Sequence, residues 1–357
     1  MRIAVLGVGL IGGSIGLAAK RDVEGAEVVG FGRSPERLER ARALGAIDVA
    51  AGSLAEALDG AAVCFCCAPV GALADQIAAA LAVAPEDCVV TDVGSTKGEV
   101  VAACSDQRFV GGHPIAGAET AGVEHARADL FEDATWYLTP AAATSGVLYE
   151  RLHRLLAAIG ARPVAIDADS HDRLLATVSH LPHVLANALV TQAAGALGEE
   201  GAALPRVGPS FRDATRVAGA NSAIWTDIYV ANREAIAAEI DALAARLGEA
   251  AALLRAADPE AITAWNERAA DARRRLLEAD LAGGVVHELR TTVPNRPGIV
   301  AEVALALGKA GVNIVDMALA PAPDMLAGEI TLWIAGDGPA GRARELIDAL
   351  GFPVVEP

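Results

Sequence analysis

Aromatic side chains are scarce in this sequence, since phenylalanine, tryptophan and tyrosine together make up 4% of its 357 residues. A β-sandwich lined with aromatic side chains is therefore not expected. The many alanines and 36 glycines favour closely packed helices and tight turns instead. Hydrophobic residues reach 53%, a share that excludes a disordered chain. A chain of this length is expected to form two or three domains.

Cysteine is also rare. The five cysteines form no pair of C-x-x-C units, so neither a zinc site nor a disulfide framework is expected. Three of them fall in the apolar run 61–68, where small buried thiols are the simplest interpretation. Reduced thiols favour a cytoplasmic location.

Positive charge is in deficit, because 29 lysines and arginines stand against 46 aspartates and glutamates, a net charge of -17. Such a field repels polyanions and anionic lipid surfaces, so no nucleic-acid or membrane partner is expected. No stretch approaches the roughly twenty uninterrupted apolar residues of a membrane span. An anionic small molecule would need arginines, histidines or helix N-termini placed locally.

The chain divides by pattern into three parts. Residues 1–165 alternate short apolar runs with amphipathic segments, which predicts an α/β domain with a parallel sheet and crossover helices. Residues 166–282 lack strand signals and carry helical spacing, which predicts an all-α domain. Residues 283–357 begin with a glycine pair and follow the order βαββαβ, that of a ferredoxin-like α+β domain.

A glycine-rich turn follows the first apolar run and opens a helix. The pattern G-x-G-x-x-G is formed by Gly7, Gly9 and Gly12, with Leu10 and Ile11 between the last two. The first glycine permits a tight turn, the second admits a pyrophosphate, and the third packs helix against strand. Strand, turn and helix together predict a Rossmann domain that binds NAD or NADP.

The choice between these cofactors depends on the end of the second strand. An acidic residue that would bind the ribose hydroxyls of NAD is missing there, and Arg33 and Ser34 stand in its place. A guanidinium bonds a 2′-phosphate well, so this pair favours NADP. Arg33 could instead stack on the adenine or cap a solvated turn.

Three polar clusters stand out in an otherwise apolar chain. They occupy residues 92–98, which contain Ser95, residues 111–117, which contain His113, and residues 179–183, which contain His180 and His183. The first two follow predicted strands, where doubly wound folds place their ligands. The third opens a predicted helix.

These motifs, in this order, resemble those of the prephenate dehydrogenase family, also called arogenate or cyclohexadienyl dehydrogenases, fused to a C-terminal ACT domain. The matching segments are G-S-x-K-G, G-G-H-P-I-A-G, S-H-L-P-H and the later F-R-D-A-T-R, residues 211–216. The resemblance covers essentially the whole chain. It implies NAD(P)-dependent oxidative decarboxylation of prephenate to 4-hydroxyphenylpyruvate in tyrosine biosynthesis, with arogenate as the alternative substrate.

The resemblance also implies roles for these residues. His113 is the base that accepts the hydroxyl proton, a step suited to an imidazole with an ordinary pKa of about 6.5. Ser95 bonds the same hydroxyl or orients His113. Arg216 holds a substrate carboxylate, while His183 and His180 help to place the substrate side chain.

Other interpretations of the same residues stay open. Glu119 and Asp213 form a network with Arg216, or pair with it as a purely structural bridge. Ser95 is also a candidate N-cap for the following helix. The two histidines of the third cluster have the spacing of metal ligands, but no third ligand is identifiable, so no metal is expected.

The C-terminal segment resembles an ACT domain in two places. Asn295 and Gly298 lie in the expected ligand loop, and Asn313 lies in the segment G-V-N-I. Tyrosine, the end product, is the expected effector, and the resemblance implies a homodimer. The alternative is a module that only adds dimer surface.

Two further functions compete with this interpretation. Another two-domain hydroxyacid dehydrogenase would usually need a Lys-Asn arrangement in its helical domain, which the third cluster does not supply. A non-catalytic sensor of nicotinamide and amino acid would require the catalytic clusters to be vestigial.

Overall fold

A computed structural model describes residues 1–117, 120–197, 207–279, 286–321 and 327–355. The chain forms two compact units. The first contains Met1–Asp172 together with Val285–Pro357, and the second contains Arg173–Gly284.

An eight-stranded sheet is the centre of the first unit. Its strands are β1 (Arg2–Leu6), β2 (Glu27–Phe31), β3 (Val49–Ala50), β4 (Val63–Cys66), β5 (Val89–Asp92), β6 (Phe109–Pro114), β7 (Thr135–Pro140) and β8 (Arg162–Ala165). The order is β3-β2-β1-β4-β5-β6-β7-β8, so the first six strands have the arrangement of a dinucleotide-binding fold. Short β-branched and small residues fill these strands, which are buried because helices cover both faces.

The sheet differs from the predicted one at strand β6. This strand pairs antiparallel with β7, so the sheet is mixed rather than purely parallel. It also continues through Pro114, which places His113 inside the strand rather than after it. The pairing of His113 with Tyr137 on β7 extends the strand beyond its apolar run.

Helices connect these strands. They are α1 (Leu10–Asp22), α2 (Pro35–Ala43), α3 (Leu54–Leu58), α4 (Val70–Val83), α5 (Gly98–Ala102), α6 (Gly146–Ala158) and α7 (Ala168–Leu175). A 3₁₀ turn covers Val123–His125. The hydroxyl of Ser14 on α1 accepts a hydrogen bond from the amide of Arg127 at 2.9 Å, which ties the segment after this turn to the first helix.

All described elements of the second unit are helical. A π-helical turn, Ala176–His180, precedes α8 (Leu181–Leu197), α9 (Pro209–Thr215), a 3₁₀ turn (Arg216–Gly219), α10 (Ser222–Ala231), α11 (Arg233–Ala256) and α12 (Pro259–Ala279). Many apolar side chains on these helices are exposed, among them Val178, Leu247, Leu254 and Leu276. Apolar surface of this extent is typical of a protein interface.

One helical segment is apolar on average, although charged residues interrupt it near its start. By length and composition alone, Ala168–Gly195 is long and apolar enough to cross a membrane. Two buried histidines, His180 and His183, interrupt it. Buried imidazoles that hydrogen-bond to neighbouring helices indicate packing against protein, so we interpret the segment as helix packed within the protein, with residues 173–195 in the helical unit.

The C-terminal part of the first unit is a four-stranded module. Its elements are β9 (Val286–Pro294), α13 (Ile299–Lys309), β10 (Ile314–Pro321), β11 (Ala327–Ala335), α14 (Asp337–Ala349) and β12 (Val354–Val355). The sheet order β10-β11-β9-β12, with every pair antiparallel, is ferredoxin-like. The glycine pair expected as a linker, residues 283 and 284, lies outside the described residues.

This module packs directly on the nucleotide-binding sheet. Helix α13 contacts β8 and α6, and strand β10 contacts α6. Gly308 lies so close to strand β8 that a Cβ on it would be 1.5 Å from the carbonyl oxygen of Ala165. Buried side chains of α6 and α13, including Leu152 and Val303, belong to one continuous hydrophobic cluster. The module is therefore fixed to the nucleotide-binding domain.

A buried histidine marks this contact. His153 on α6 is fully buried, and its nearest carboxylate, that of Asp316 on β10, lies 4.0 Å away. Burial lowers the pKa of His153 from its ordinary 6.5 to about 4, against the opposing effect of Asp316. The unfolded chain therefore binds a proton more readily than the folded chain between pH 6.5 and pH 4.

This difference predicts acid sensitivity. As the pH falls from 7 to 5, His153 should cost the protein about 2 kcal/mol of unfolding free energy. The variant His153→Phe should lose correspondingly less stability across this range, as measured by urea unfolding at each pH. The variant Tyr149→Phe, at a buried position on the same helix and with a side chain that does not titrate between pH 7 and pH 5, is the matched control and should show the pH dependence of the unmodified protein. Parallel pH curves for all three proteins would contradict the prediction.

Candidate active site

The glycine-rich turn has the geometry that a dinucleotide requires. Gly7 has a φ of +103°, which favours glycine, and its amide donates to the carbonyl of Phe31 at 2.8 Å. A Cβ on Gly12 would lie 2.4 Å from the carbonyl oxygen of Gly7, so this position must lack a side chain. Around Gly9, by contrast, no atom lies within 4 Å of such a Cβ. The turn thus leaves room for a pyrophosphate where the second glycine stands.

A cavity of about 440 Å³ adjoins this turn. Leu10, the first residue of α1, lines it, together with residues of the segment after β6: Gly117, Thr120, Glu124, His125, Ala126, Arg127 and Leu130. The N-terminus of α1 presents unpaired backbone amides to a bound anion. The residues present therefore fit a dinucleotide whose phosphates face the start of α1. Ile11 follows in the first turn of this helix.

Arg33 and Ser34 follow strand β2, as the motif predicts. Arg33 is exposed, and no ion pair is found for it within the described part of the chain. Ser34 is the N-cap of α2, where its hydroxyl accepts from the amide of Arg37 at 3.3 Å. The cap of α2 is therefore supplied by Ser34.

A buried ion pair organises the first polar cluster. The side chains of Lys97 and Asp92 are both fully buried, and the ammonium donates to Oδ2 of the carboxylate. Lys97 also donates to the carbonyl of Gly112 at 2.8 Å, while Asp92 accepts the amide of Gly112 at 3.0 Å. The pair joins the end of β5 to β6, one residue before His113.

Burial lowers the pKa of Lys97, and the adjacent Asp92 opposes that shift. A buried charge without a partner is costly, so each member of the pair requires the other. The ion pair therefore fixes the backbone at Gly112. Because His113 is the next residue, the position of its Cα is fixed as well.

His113 makes its described hydrogen bond to another histidine. Its Nδ1 lies 2.9 Å from Nε2 of His171 on α7, and both rings are buried. Nδ1 of His171 lies 2.8 Å from Oδ1 of Asp172. The rings of His113 and His171 meet edge to face, with centroids 5.1 Å apart. Ser95, expected to bond the substrate hydroxyl or orient His113, is half-buried in the loop before α5.

Asp172 also occupies the start of α5. Its Oδ1 accepts the amide of Lys97 and its Oδ2 the amide of Gly98, each at 2.8 Å. The N-cap position of α5 is Lys97, with no capping side chain of its own, so Ser95 does not cap this helix. Burial would raise the pKa of Asp172, but the hydrogen bonds from His171 and the two amides hold it below its ordinary value.

In the second unit, His183 lies among aromatic side chains. Its ring stacks on Trp225 with centroids 3.6 Å apart and planes within 5° of parallel. Its Nδ1 hydrogen-bonds to the hydroxyl of Tyr229. Burial lowers its pKa, so the imidazole is neutral near pH 7 and serves as a hydrogen-bonding group rather than a cation.

His180 is bonded differently from His183. It is 1% exposed, and its Nδ1 lies 3.1 Å from the side-chain amide of Asn232. No group of three or more metal-ligating side chains occurs in the described part of the chain, and the two histidines are held by different partners. The burial of His180 and its bond to Asn232 favour a structural role for this side chain.

The cationic candidate of the helical unit is Arg216. It begins the 3₁₀ turn after α9 and is exposed, as is Asp213 on α9. Glu119, the third member of the predicted network, lies outside the described residues.

The candidate effector residues lie in the C-terminal module. Asn295 is exposed in the loop after β9. Gly298 has a φ of +80° and its amide donates to the carbonyl of Thr144 at 3.1 Å, so its close approach is to the nucleotide-binding domain. Asn313 is half-buried before β10, and its side-chain carbonyl is buried without a hydrogen-bond partner among the described residues.

Four polar residues at these sites are not among those predicted from the sequence. Lys97 and Asp92 lie inside the first polar cluster, whereas His171 and Asp172 lie outside all three clusters, in the segment predicted to be helical. The adjacent letters H-D just beyond the predicted domain boundary were the available signal, because a histidine beside a carboxylate is a recurring catalytic pattern.

Models of known families match most of the chain. The nucleotide-binding domain of prephenate dehydrogenase matches residues 15–165. The dimerization domain of prephenate dehydrogenase matches residues 167–267. The chain belongs to the prephenate dehydrogenase family. The predicted family, the oxidoreductase class and the succession of a Rossmann-like domain and a helical domain are thereby confirmed.

Individual proteins similar to this chain are also prephenate or arogenate dehydrogenases. Prephenate dehydrogenase of Bacillus subtilis is 30% identical over 356 residues, covering 97% of this chain and 95% of its own. A crystal structure of prephenate dehydrogenase from Aquifex aeolicus, in complex with hydroxyphenyl propionate and NAD+, superposes with a TM-score of 0.72 at 29% identity. It covers 77% of this chain and 98% of its own. The crystal structure of Synechocystis arogenate dehydrogenase superposes with a TM-score of 0.68 at 28% sequence identity. The match covers 77% of this chain and the whole of the Synechocystis chain.

Proposed function

We propose that this chain oxidises and decarboxylates prephenate to 4-hydroxyphenylpyruvate, with His113 as the base. The observation that carries the proposal is the buried imidazole of His113, set by a fixed strand beside the loop of Ser95 in a dinucleotide-binding domain of this family. In the reaction, the ring carbon that bears the hydroxyl loses a hydride. The opposite ring carbon loses carbon dioxide, and the ring becomes aromatic.

Two side chains, His113 and Ser95, act on the substrate hydroxyl during the oxidation. Bound NAD or NADP supplies the hydride acceptor. His113 removes the hydroxyl proton, so that electron density on the oxygen favours hydride departure. Ser95 hydrogen-bonds the same hydroxyl and orients it. A low-dielectric surrounding strengthens each of these contacts.

The substrate carboxylates need partners of opposite charge in a protein of net charge -17. Arg216 supplies a guanidinium for one of them. The network of Arg216 with Asp213 and Glu119 that the family resemblance implies stays a prediction. His183, neutral and held by Tyr229 and Trp225, donates a hydrogen bond to the substrate side chain. His180 positions this helix through Asn232.

Prephenate turnover tests the activity. We expect nicotinamide reduction, followed at 340 nm, to require prephenate and to fall about 10²-fold or more in His113→Asn. The matched control is His287→Asn, whose site is an exposed ion pair on the module, and it should retain full activity. If His113→Asn is as active as the control, the proposal is wrong. Turnover of arogenate but not prephenate would keep the mechanism and change the substrate.

We also propose that the enzyme accepts NADP in preference to NAD. Support comes from the exposed Arg33 at the end of β2 and from the lack of a carboxylate in the segment 32–34. A 2′-phosphate there would gain a charge-assisted hydrogen bond that the ribose of NAD does not offer.

Replacement of one arginine tests the cofactor proposal. Arg33→Ala should lower kcat/KM for NADP about 10-fold to 100-fold and leave that for NAD within 2-fold, because only the phosphate contact is lost. Arg42→Ala, on α2 and paired with Glu39, is the control. The same loss with both cofactors in Arg33→Ala, or none with either, would refute the preference.

The assembly we propose is a cytoplasmic homodimer formed through the helical unit. The exposed apolar side chains of α8, α11 and α12 support it, as does the match of residues 167–267 to a dimerization domain.

We further propose that residues 283–357 form an ACT domain that binds tyrosine. Its ferredoxin-like strand order supports this, together with the buried, unpartnered carbonyl of Asn313, which fits the ammonium group of an amino acid. Contact of α13 with β8 gives ligand binding a direct route to the nucleotide-binding sheet.

Tyrosine titration of the full-length enzyme tests this role. Tyrosine should inhibit prephenate turnover and raise the melting temperature, whereas leucine should do neither. In Asn313→Ala, we expect turnover without tyrosine to be unchanged and the concentration for half inhibition to rise about 10-fold, the loss of one charge-assisted bond. Neither inhibition nor a thermal shift at millimolar tyrosine would mean that the module only adds packing surface.

A further inference from the structure

Two residues outside the sequence motifs are connected to the candidate base, His113, by hydrogen bonds. His171 and Asp172 lie on α7, and they connect through hydrogen bonds to His113 on β6. We propose that His171 and Asp172 are positioning residues that fix the tautomer of His113, so that its Nε2 carries the lone pair that accepts the substrate proton. The inference rests on the proposed role of His113 as the base.

The carboxylate of Asp172 fixes the position of the first proton in this series of hydrogen bonds. Asp172 accepts the amides of Lys97 and Gly98 and lies 2.8 Å from Nδ1 of His171. A carboxylate with three donors around it is ionised, and an ionised carboxylate only accepts hydrogen bonds. The proton between Asp172 and His171 therefore resides on Nδ1 of His171.

The next link follows from the protonation state of His171. Its ring is fully buried, and burial lowers its pKa, with Asp172 opposing that shift and Lys97 adding to it. The other ionisable groups nearby are Asp92, whose charge Lys97 neutralises, and Tyr137, whose ring lies 5.6 Å away edge to face. His171 is therefore neutral, and its Nε2 carries a lone pair.

The last link is the bond of 2.9 Å between His171 and His113. Because Nε2 of His171 can only accept, Nδ1 of His113 must donate, and the proton of neutral His113 is on Nδ1. Nε2 then has a lone pair. When the substrate O–H bond breaks, the new N–H bond forms at Nε2 and the Nδ1 proton stays in place. The imidazolium so formed is stabilised by His171, since a charged donor makes the stronger bond.

Asp172, His171 and His113 form a series of hydrogen bonds, which we call the relay. Asp172 contacts both the start of α5 and, by way of His171, the strand β6. Its carboxylate holds the loop before α5, which carries Ser95, and through His171 it holds the ring of His113. The carboxylate of Asp172 thus helps to position both Ser95 and His113, the two residues assigned to the substrate hydroxyl.

A matched pair of variants separates positioning from packing. In His171→Asn the amide nitrogen replaces Nδ1 and keeps the bond to Asp172, but nothing reaches His113. In His171→Gln the amide oxygen replaces Nε2 and can accept from His113. Melting temperature and cofactor binding, measured by titration calorimetry, are expected to be alike in the two variants and serve as folding controls.

The kinetics are expected to differ. His171→Asn should lower kcat with prephenate about 10²-fold, with KM for the cofactor within 2-fold. The acid limb of its kcat/KM profile should move to lower pH, since protonated His113 loses its acceptor. His171→Gln should restore most of kcat and return the acid limb towards that of the unmodified enzyme. Equal losses in both variants without movement of the limb, or no loss in either, would overturn the proposal.

A spectroscopic measurement keeps this test separate from that of the function. Nitrogen-15 NMR of the full-length protein with labelled histidine distinguishes protonated from unprotonated ring nitrogens. The signals lost in His113→Asn should be those of an Nδ1–H tautomer in the unmodified protein. An Nε2–H tautomer would refute the relay even if prephenate turnover is found. Absent turnover with the Nδ1–H tautomer present would refute the function alone.

Discussion

The buried ion pair of Lys97 and Asp92 is the constraint on which the rest of the catalytic domain depends. Both charges are removed from water, so each is tolerated only in the other's presence. The carboxylate also accepts the amides of Gly94 and Gly112, and the ammonium donates to the carbonyl of Gly112. The loop after β5 and the strand β6 are therefore held by one electrostatic unit.

Other features of the site follow from that unit. Because the loop is held, the amides of Lys97 and Gly98 point towards a common acceptor, which is Asp172. Because β6 is held, His113 stands beside His171. Two networks of buried polar groups thus share the backbone of Lys97. Such networks favour a single arrangement, since any partly bonded alternative leaves a polar group without a partner.

Local patterns predicted the parts of the structure that local forces determine. The glycine turn, the strands of the nucleotide-binding domain and the order βαββαβ depend on periodicity and backbone freedom, which the sequence expresses directly. The antiparallel strand β7, the extension of β6 and the capping of α5 by Asp172 depend on segments distant in sequence. The bond between His113 and His171 spans 58 residues, and no short window contains both partners.

The contact between Gly308 and Ala165 makes the nucleotide-binding domain and the C-terminal module depend on each other. No side chain fits between α13 and β8, and α6 contributes buried apolar residues to the same cluster. Removal of the module would expose to water the apolar side chains that α6 contributes to this cluster. The module therefore keeps one face of the nucleotide-binding domain out of water, and that domain on its own would present a sticky apolar surface in place of a finished one.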